Sequence, residues 1–274
     1  MEKNPYSNAV NVSLEDPRLN EYRNLKVPKN DSQVFIAENE KVVQRLIESN
    51  LPLKSILGTK ESIERNCEFF LRQNIDPSFI LQISEENLEQ LVGFKIHRNL
   101  LAESYIPKSL SIEQLGSEII CLNRVHDAEN IGSILRSSVA LGIQSFAYDQ
   151  YTSSPYSRRS VRVSMGNVFN MKIAKIDSIE RSIDLWKQNG YRILGTSLQT
   201  DAKTSIPIWD FPFPDKWVLI LGNEAFGMDQ NVLDLCDQLI NIPMDNSVDS
   251  LNIAHSLTSI LSISKFQNRM KHPR

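Results

Sequence analysis

Three segments of this sequence place amides, carboxylates or an arginine where a strand pattern gives way to a turn or helix. The first is Asn123-Arg124-Val125-His126-Asp127-Ala128-Glu129-Asn130-Ile131-Gly132, running on through Ser133 to Arg136. It follows a strand pattern and opens a helix, so its free N–H groups suit an anion. It lacks both the G-x-G-x-x-G of dinucleotide sites and the G-x-x-x-x-G-K-[ST] of triphosphate sites. Arg136 sits among Ile131, Ile134, Leu135 and Val139. On position alone it reads equally as a functional cation or as a surface arginine in a helix salt bridge. The second segment, Ile220-Leu221-Gly222-Asn223-Glu224-Ala225-Phe226-Gly227-Met228, is an apolar strand running into a glycine-bounded turn that holds one carboxylate. The turn alone explains the glycines and leaves Glu224 without a task. The third runs from Ile242-Pro243-Met244 through Asp245–Asp249 to Ser250-Leu251-Asn252-Ile253-Ala254-His255. Asp249 or Ser250 suits an N-cap, and Asn252 and His255 need partners if buried. No segment has metal-ligand spacing: His126 and His255 stand apart, and Cys67, Cys121 and Cys236 form no C-x-x-C pair.

The elements that must carry these segments are legible as apolar runs. Strands are expected at Glu118–Cys121, Ser145–Ala147, Met171–Ala174, Tyr191–Leu194, Trp217–Leu221 and Gln238–Ile242, with helices over Ile131–Leu141, Ile179–Gln188 and Ser250–Phe266. Alternation of this kind implies a mainly parallel sheet covered on both faces, with ligands outside the carboxyl ends of its strands. The last helix carries no charge from Ser250 through Ser264, which predicts burial on several sides, in a core or a subunit interface.

A chain of 274 residues is long for one core, and two domains are expected. Residues 1–30 are polar and read as a loosely packed extension. Residues 31–112 form a smaller α/β unit, with strands at Val34–Ala37 and Leu53–Leu57 and helices at Glu40–Ser49, Glu61–Gln73 and from Ser84. Residues 113–274 form the larger domain. The start of the chain shows no apolar signal core, and no run of eighteen apolar residues could span a membrane. The odd, scattered cysteines fit a reducing compartment, so a cytoplasmic setting is expected.

In this order and spacing the segments resemble the three signature motifs of SpoU/TrmH RNA methyltransferases, a branch of the SPOUT superfamily. Asn130, Gly132 and Arg136 match N-x-G-x-x-x-R, and Gly222, Glu224 and Gly227 match G-x-E-x-x-G. Ile242, Pro243, Ser250, Leu251, Asn252 and Ala254 match I-P-M…S-L-N-x-A. Arg158-Arg159-Ser160-Val161-Arg162-Val163-Ser164-Met165-Gly166 resembles the family's R-x-S-x-G stretch. Val34-Phe35-Ile36 and Gly93–Arg98 resemble the ribosomal-protein-like RNA-binding module that often precedes the catalytic domain. Ala128 departs from a common proline, and Leu141 from a common phenylalanine.

The resemblance implies an α/β fold with a C-terminal trefoil-knotted parallel-sheet domain, a homodimer, and S-adenosylmethionine as cofactor. It implies methyl transfer to a ribose 2′-hydroxyl in rRNA or tRNA, without a metal or a membrane. Arg136 is then expected beside the developing alkoxide, from across the dimer, with Asn130, Glu224, Ser250 and Asn252 holding the site in register. Thr196, Leu221, Gly222, Gly227, Ile242, Met244 and Leu251 are expected around the cofactor, with Gly222 allowing its close approach. Arg158, Arg159 and Arg162 are expected to bind RNA phosphates. The alternatives are a silent RNA-binding factor on the same scaffold, or an RNA base methyltransferase; a dehydrogenase reading suffers from the missing glycine fingerprint. The net charge of −3 speaks against coating nucleic acid by overall charge, but no acid lies between Asp149 and Asp177 or after Asp249. Local basic surfaces are therefore compatible with the mild acidity.

Overall fold

A computed structural model describes Tyr6 and residues 9–27, 32–197, 204–245 and 250–271. The chain divides into two compact units: Met1–Pro107 with Tyr156–Phe169, and Lys108–Pro155 with Asn170–Arg274.

The first unit contains β1 (Val10–Asn11), β2 (Val34–Glu38), α1 (Glu40–Glu48), β3 (Leu53–Gly58), α2 (Lys60–Arg72), β4 (Ile80–Gln82), α3 (Glu85–Val92) and β5 (Leu100–Tyr105). Its sheet order is β1-β4-β3-β5-β2, with β5 antiparallel to both of its neighbours. The helix starts follow side-chain capping: Thr59 accepts from the Ser62 N–H and Ser84 from the Asn87 N–H. The expected loose extension is instead part of this unit. β1 pairs with β4, and Leu19 and Tyr22 are fully buried in the same apolar cluster as Leu57, Leu81 and Leu88. A short 3₁₀ turn, Pro17–Tyr22, aims both side chains inward, and the Tyr22 hydroxyl reaches the Ser55 carbonyl at 3.1 Å. Two large side chains on one turn outweigh the polar composition around them.

The second unit contains β6 (Glu118–Leu122), α4 (Ala128–Ala140), β7 (Ser145–Asp149), β8 (Lys172–Ile176), α6 (Ile179–Gln188), β9 (Arg192–Thr196), β10 (Ser205–Pro207), β11 (Trp217–Leu221), α7 (Gln230–Leu235), β12 (Gln238–Asn241) and α8 (Ile253–Lys271); α5 (Arg158–Val163) intervenes between β7 and β8. Seven parallel strands run in the order β10-β12-β9-β11-β6-β7-β8. β7 and β11 are buried at every position, as strands covered on both faces must be. α8 packs on α4, where the Thr258 and Ser137 hydroxyls hydrogen-bond at 2.9 Å. Leu257, Ile260, Leu261 and Ser264 are buried, whereas Phe266 and Met270 are 64% and 69% exposed. Within the chain α8 is thus buried along one side, which leaves the subunit-interface part of the expectation for the exposed side. It also begins three residues later than expected.

The expected division between residues 112 and 113 falls instead at Pro107, and the chain returns to the first unit once more. In that excursion α5 packs on β2, with Phe35 between the Tyr156 and Phe169 rings at 5.5 and 5.4 Å. Aromatic burial, a non-local effect, decides this assignment. No helix among the described residues is long and apolar enough to cross a membrane.

Candidate active site

The carboxyl ends of β6 and β11 lead directly into the first two segments, and β12 leads into the third. Parallel register aligns β6 with β11 from Glu118 opposite Trp217 to Leu122 opposite Leu221. The loops after them therefore emerge side by side. The Asn123 N–H continues the ladder to the Leu221 carbonyl at 2.9 Å.

The turn after β11 closes on itself. Asn223 and Gly227 exchange two backbone hydrogen bonds, at 2.9 and 2.8 Å, and the Asn223 side-chain oxygen accepts from the Ala225 and Phe226 N–H groups. Gly227 has φ +73°, a conformation that favours glycine. A Cβ at Gly222 would lie 2.3 Å from the Met228 nitrogen and 2.4 Å from the Gly227 carbonyl carbon. Glycine at 222 is therefore required by the turn's own backbone, whatever it does toward a cofactor.

This turn presents Glu224 to α4. Asn130 Nδ2 donates to Glu224 Oε1 at 2.6 Å, and Asn252 Nδ2 donates to Asn130 Oδ1 at 2.8 Å. Asn252 Oδ1 in turn accepts from the Ala254 N–H at 2.9 Å, so Asn252, rather than Asp249 or Ser250, caps α8. Asp249 lies outside the described residues. The three segments meet in one hydrogen-bonded chain.

Beside it lies a cavity of about 370 Å³, lined by Thr196, Ser197, Phe226, Gly227, Met228, Leu233, Ile240, Asn241, Ile242, Met244, Ser250, Leu251, Ser256 and Ile260. Five of the seven expected cofactor residues, Thr196, Gly227, Ile242, Met244 and Leu251, line it. Leu221 and Gly222 do not: Leu221 is buried in the sheet, and Gly222 lies against the turn backbone. Ser250 joins the cavity wall and makes no hydrogen bond to Asn130, Glu224 or Asn252. The described lining carries no charged side chain, and Asn241 Oδ1 is buried there without a partner among the described residues. An uncharged apolar cleft with an idle acceptor fits a flat heteroaromatic group bearing N–H donors, such as adenine.

Arg136 is exposed on α4 and makes no hydrogen bond or ion pair among the described residues. Six residues beyond Asn130, it lies about 120° around the helix from it, so it faces away from the Glu224 turn. The three other arginines are differently placed. Arg158 and Arg162 both pair with Glu38, the latter at 3.6 Å, and Arg158 also covers the Phe94 ring at 5.0 Å. The one Glu38 carboxylate offsets only part of the charge of these two arginines, so a net positive charge remains there beside the expected RNA-binding stretch. Arg159 is exposed. His126 and His255 are exposed as well, and no group of three or more His, Cys, Asp or Glu residues among those described could hold a metal.

Sequence reasoning missed Asn123, Asp149 and Asn223, which brace the loops, and Phe226, which is 89% exposed beside Glu224. Their position just past parallel strands, or at the end of one, was the available signal.

A wholly parallel sheet with a cleft and a polar chain at its carboxyl ends defines a doubly covered α/β ligand-binding domain. Residues 117–262, more than half of the chain, match the SpoU rRNA Methylase family, and the chain belongs to that family. It is 26% identical over 250 residues to an uncharacterized tRNA/rRNA methyltransferase of Mycobacterium bovis, covering 88% of this chain and 85% of that one. It is 22% identical over 247 residues to the 23S rRNA (guanosine(2553)-2′-O)-methyltransferase RlmP of Bacillus subtilis, covering 88% and 93%. The fold resembles that of an AdoMet-bound rRNA methyltransferase from Sinorhizobium meliloti, with a TM-score of 0.79, 23% identity and coverage of 96% and 98%.

Proposed function

We propose that the protein is a methyltransferase that uses S-adenosylmethionine to methylate a ribose 2′-hydroxyl in rRNA or tRNA. The observation that carries this reading is the chain Glu224–Asn130–Asn252, whose sequence neighbours Phe226, Gly227 and Leu251 line the uncharged cleft. It joins the three motifs of an RNA methylase family at one point, and the Bacillus subtilis relative, matched over 93% of its length, bears the name of a 23S rRNA 2′-O-methyltransferase.

Thr196, Gly227, Ile242, Met244 and Leu251, with Ser197 and Asn241, would hold the cofactor, largely through apolar contact and main-chain groups. When bound, S-adenosylmethionine supplies an electrophilic methyl group. A ribose hydroxyl is a weak nucleophile, so the site must stabilise the oxyanion as its proton leaves. Arg136 is the cation for that task. A guanidinium keeps its proton in proteins, so it acts as a positioned charge beside the oxygen and an RNA phosphate rather than as a base. Because Arg136 faces away from its own Asn130, we assign it to the site of a second copy in a homodimer. The partly exposed α8, with Phe266 and Met270 on its surface, suits such an interface. Asn130, Glu224 and Asn252 orient the loops. Ser250 belongs to the cleft wall and Arg159 to the RNA surface. The trefoil knot and a cytoplasmic setting belong to the same reading.

The test is to map 2′-O-methyl positions in total RNA from cells with and without the gene, and to restore them with purified protein and labelled S-adenosylmethionine. One position lost and then restored is expected. Label entering a base instead, or no transfer with any RNA, would overturn the proposal.

A further inference from the structure

The carboxylate of Asp149, at the end of β7, is 3% exposed and has no ion-pair partner among the described residues. A buried carboxylate without a cation is costly unless hydrogen bonds replace water. Asp149 accepts five. Oδ1 takes the Tyr151 N–H at 3.2 Å, the Thr152 N–H at 2.8 Å and the Thr152 hydroxyl at 2.7 Å. Oδ2 takes Asn123 Nδ2 at 2.9 Å and the Arg124 N–H at 3.0 Å.

The last of these falls on a strained residue. Arg124 has φ +58°, a left-handed conformation that a residue with a Cβ adopts at a cost and keeps only where its surroundings impose it. In that conformation its carbonyl accepts Asn223 Nδ2 at 2.9 Å. The other end of the Asn223 amide accepts from the Ala225 and Phe226 N–H groups, inside the turn that presents Glu224. A second branch runs through Asn123, whose Oδ1 accepts from the Asp229 N–H at 3.1 Å just beyond the turn. Asp229 also ion-pairs with Arg124 Nε at 2.9 Å, and Tyr151 lies under the Arg124 guanidinium at 4.8 Å.

We propose that Asp149 is a positioning residue for methyl transfer: it holds Arg124 in its left-handed conformation, and Arg124 holds the Glu224 turn through Asn223. The proposal rests on the methyltransferase reading for its kinetic consequence, but not for its structural one. Asp149 touches neither the cleft nor Glu224. It acts on both from behind, through two loops that meet only in the folded sheet.

Asp149→Asn keeps the shape of the side chain but turns an N–H₂ group towards N–H donors on one side. It is expected to lower kcat by about 30-fold or more, because small displacements at a reacting centre have effects of that order, with RNA KM and cofactor Kd within about threefold. Hydrogen exchange at Ala225 and Phe226 should quicken, while the buried middle of α8 stays protected. Adding Arg124→Gly, which makes positive φ permissible without support, should recover about fivefold or more of the lost kcat and slow exchange in the turn. A merely structural defect would not respond to glycine at that one position. Asn223→Ala, at the partly exposed end of the relay, should quicken the same two amides, and it serves if Asp149→Asn fails to fold. Unchanged exchange at Ala225 and Phe226 in Asp149→Asn, or in Asn223→Ala, would overturn the proposal, as would a kcat loss indifferent to Arg124→Gly. Absence of transfer by the unaltered protein would instead overturn the proposed activity and leave the exchange measurements to decide the role of Asp149.

Discussion

Asn130 Nδ2 donates to Glu224 Oε1 at 2.6 Å across 94 positions of chain. The same Asn130 amide accepts from Asn252, 122 positions further on, through its oxygen. One side chain thus sets the spacing of three loops, and its two ends are not interchangeable: nitrogen must face the carboxylate and oxygen the second amide.

That polarity separates two substitutions at Glu224. Glu224→Gln retains an oxygen to accept from Asn130, whereas Glu224→Ala leaves the Asn130 amide idle. A hydrogen bond to a charged acceptor contributes about 1.5–3 kcal/mol. Steady-state assays should therefore show kcat falling by roughly 10- to 100-fold in the alanine variant and clearly less in the glutamine variant. The melting temperature should fall by a few degrees in the alanine variant and by less in the glutamine variant. Equal losses in the two would show that the carboxylate charge itself is what matters.

Asn252 both caps α8 and orients Asn130, and Asn252→Asp divides the two roles. Aspartate still accepts from the Ala254 N–H, so the cap and the melting temperature should persist. It cannot donate to Asn130, so transfer should fall by an order of magnitude or more. Asn252→Ala loses both and should in addition cost about 1 kcal/mol in denaturant titration.

Arg136→Ala should abolish transfer with cofactor affinity changed only a few-fold in calorimetry. Mixed with Glu224→Ala, it offers a test of where Arg136 acts. If each site takes Arg136 from the second copy, random mixed dimers rebuild one intact site, and roughly a quarter of the unaltered activity should return. No recovery would place Arg136 in its own chain's site or deny the dimer.

The first unit should be acid-sensitive through Glu40. Burial raises the carboxyl's pKa, but hydrogen bonds from Arg98 at 2.7 Å and Asn66 at 2.7 Å, with Arg65 nearby, outweigh it and leave the group below its ordinary value. A carboxyl whose pKa is depressed on folding adds stability above its unfolded value of about 4.3, and that stability is lost as pH falls from there through the folded value. Melting curves from pH 7 to 3 should show this loss, and Glu40→Gln should flatten it while lowering stability at pH 7.

Much of the second unit was legible in one dimension. Apolar runs such as Trp217–Leu221 mark buried parallel strands, and the residues following a parallel strand are where ligands bind; both are local facts. The Ser84 cap and the helices α1, α2 and α6 follow from local spacing in the same way. The short strands β1, β4 and β10 have two or three residues each, too few for a period to show. Tyr22 and Leu19 escaped because one inward-facing turn carries their burial within a polar stretch.

The sequence by itself determined which residues stand at the ends of which strands, and hence that Asn130, Glu224 and Asn252 were candidates for one site. Only the tertiary structure decided that they touch, because contact between residues about a hundred positions apart depends on sheet order and register. The fold also added Glu38 as a partner of Arg158 and Arg162, gave Gly222 a part in closing the turn's own backbone, and set Asp149 among the loops whose N–H groups donate to it. Each change has the same origin. Residue type and spacing set what a side chain can do, but its partners are chosen by packing between segments that are distant in the chain.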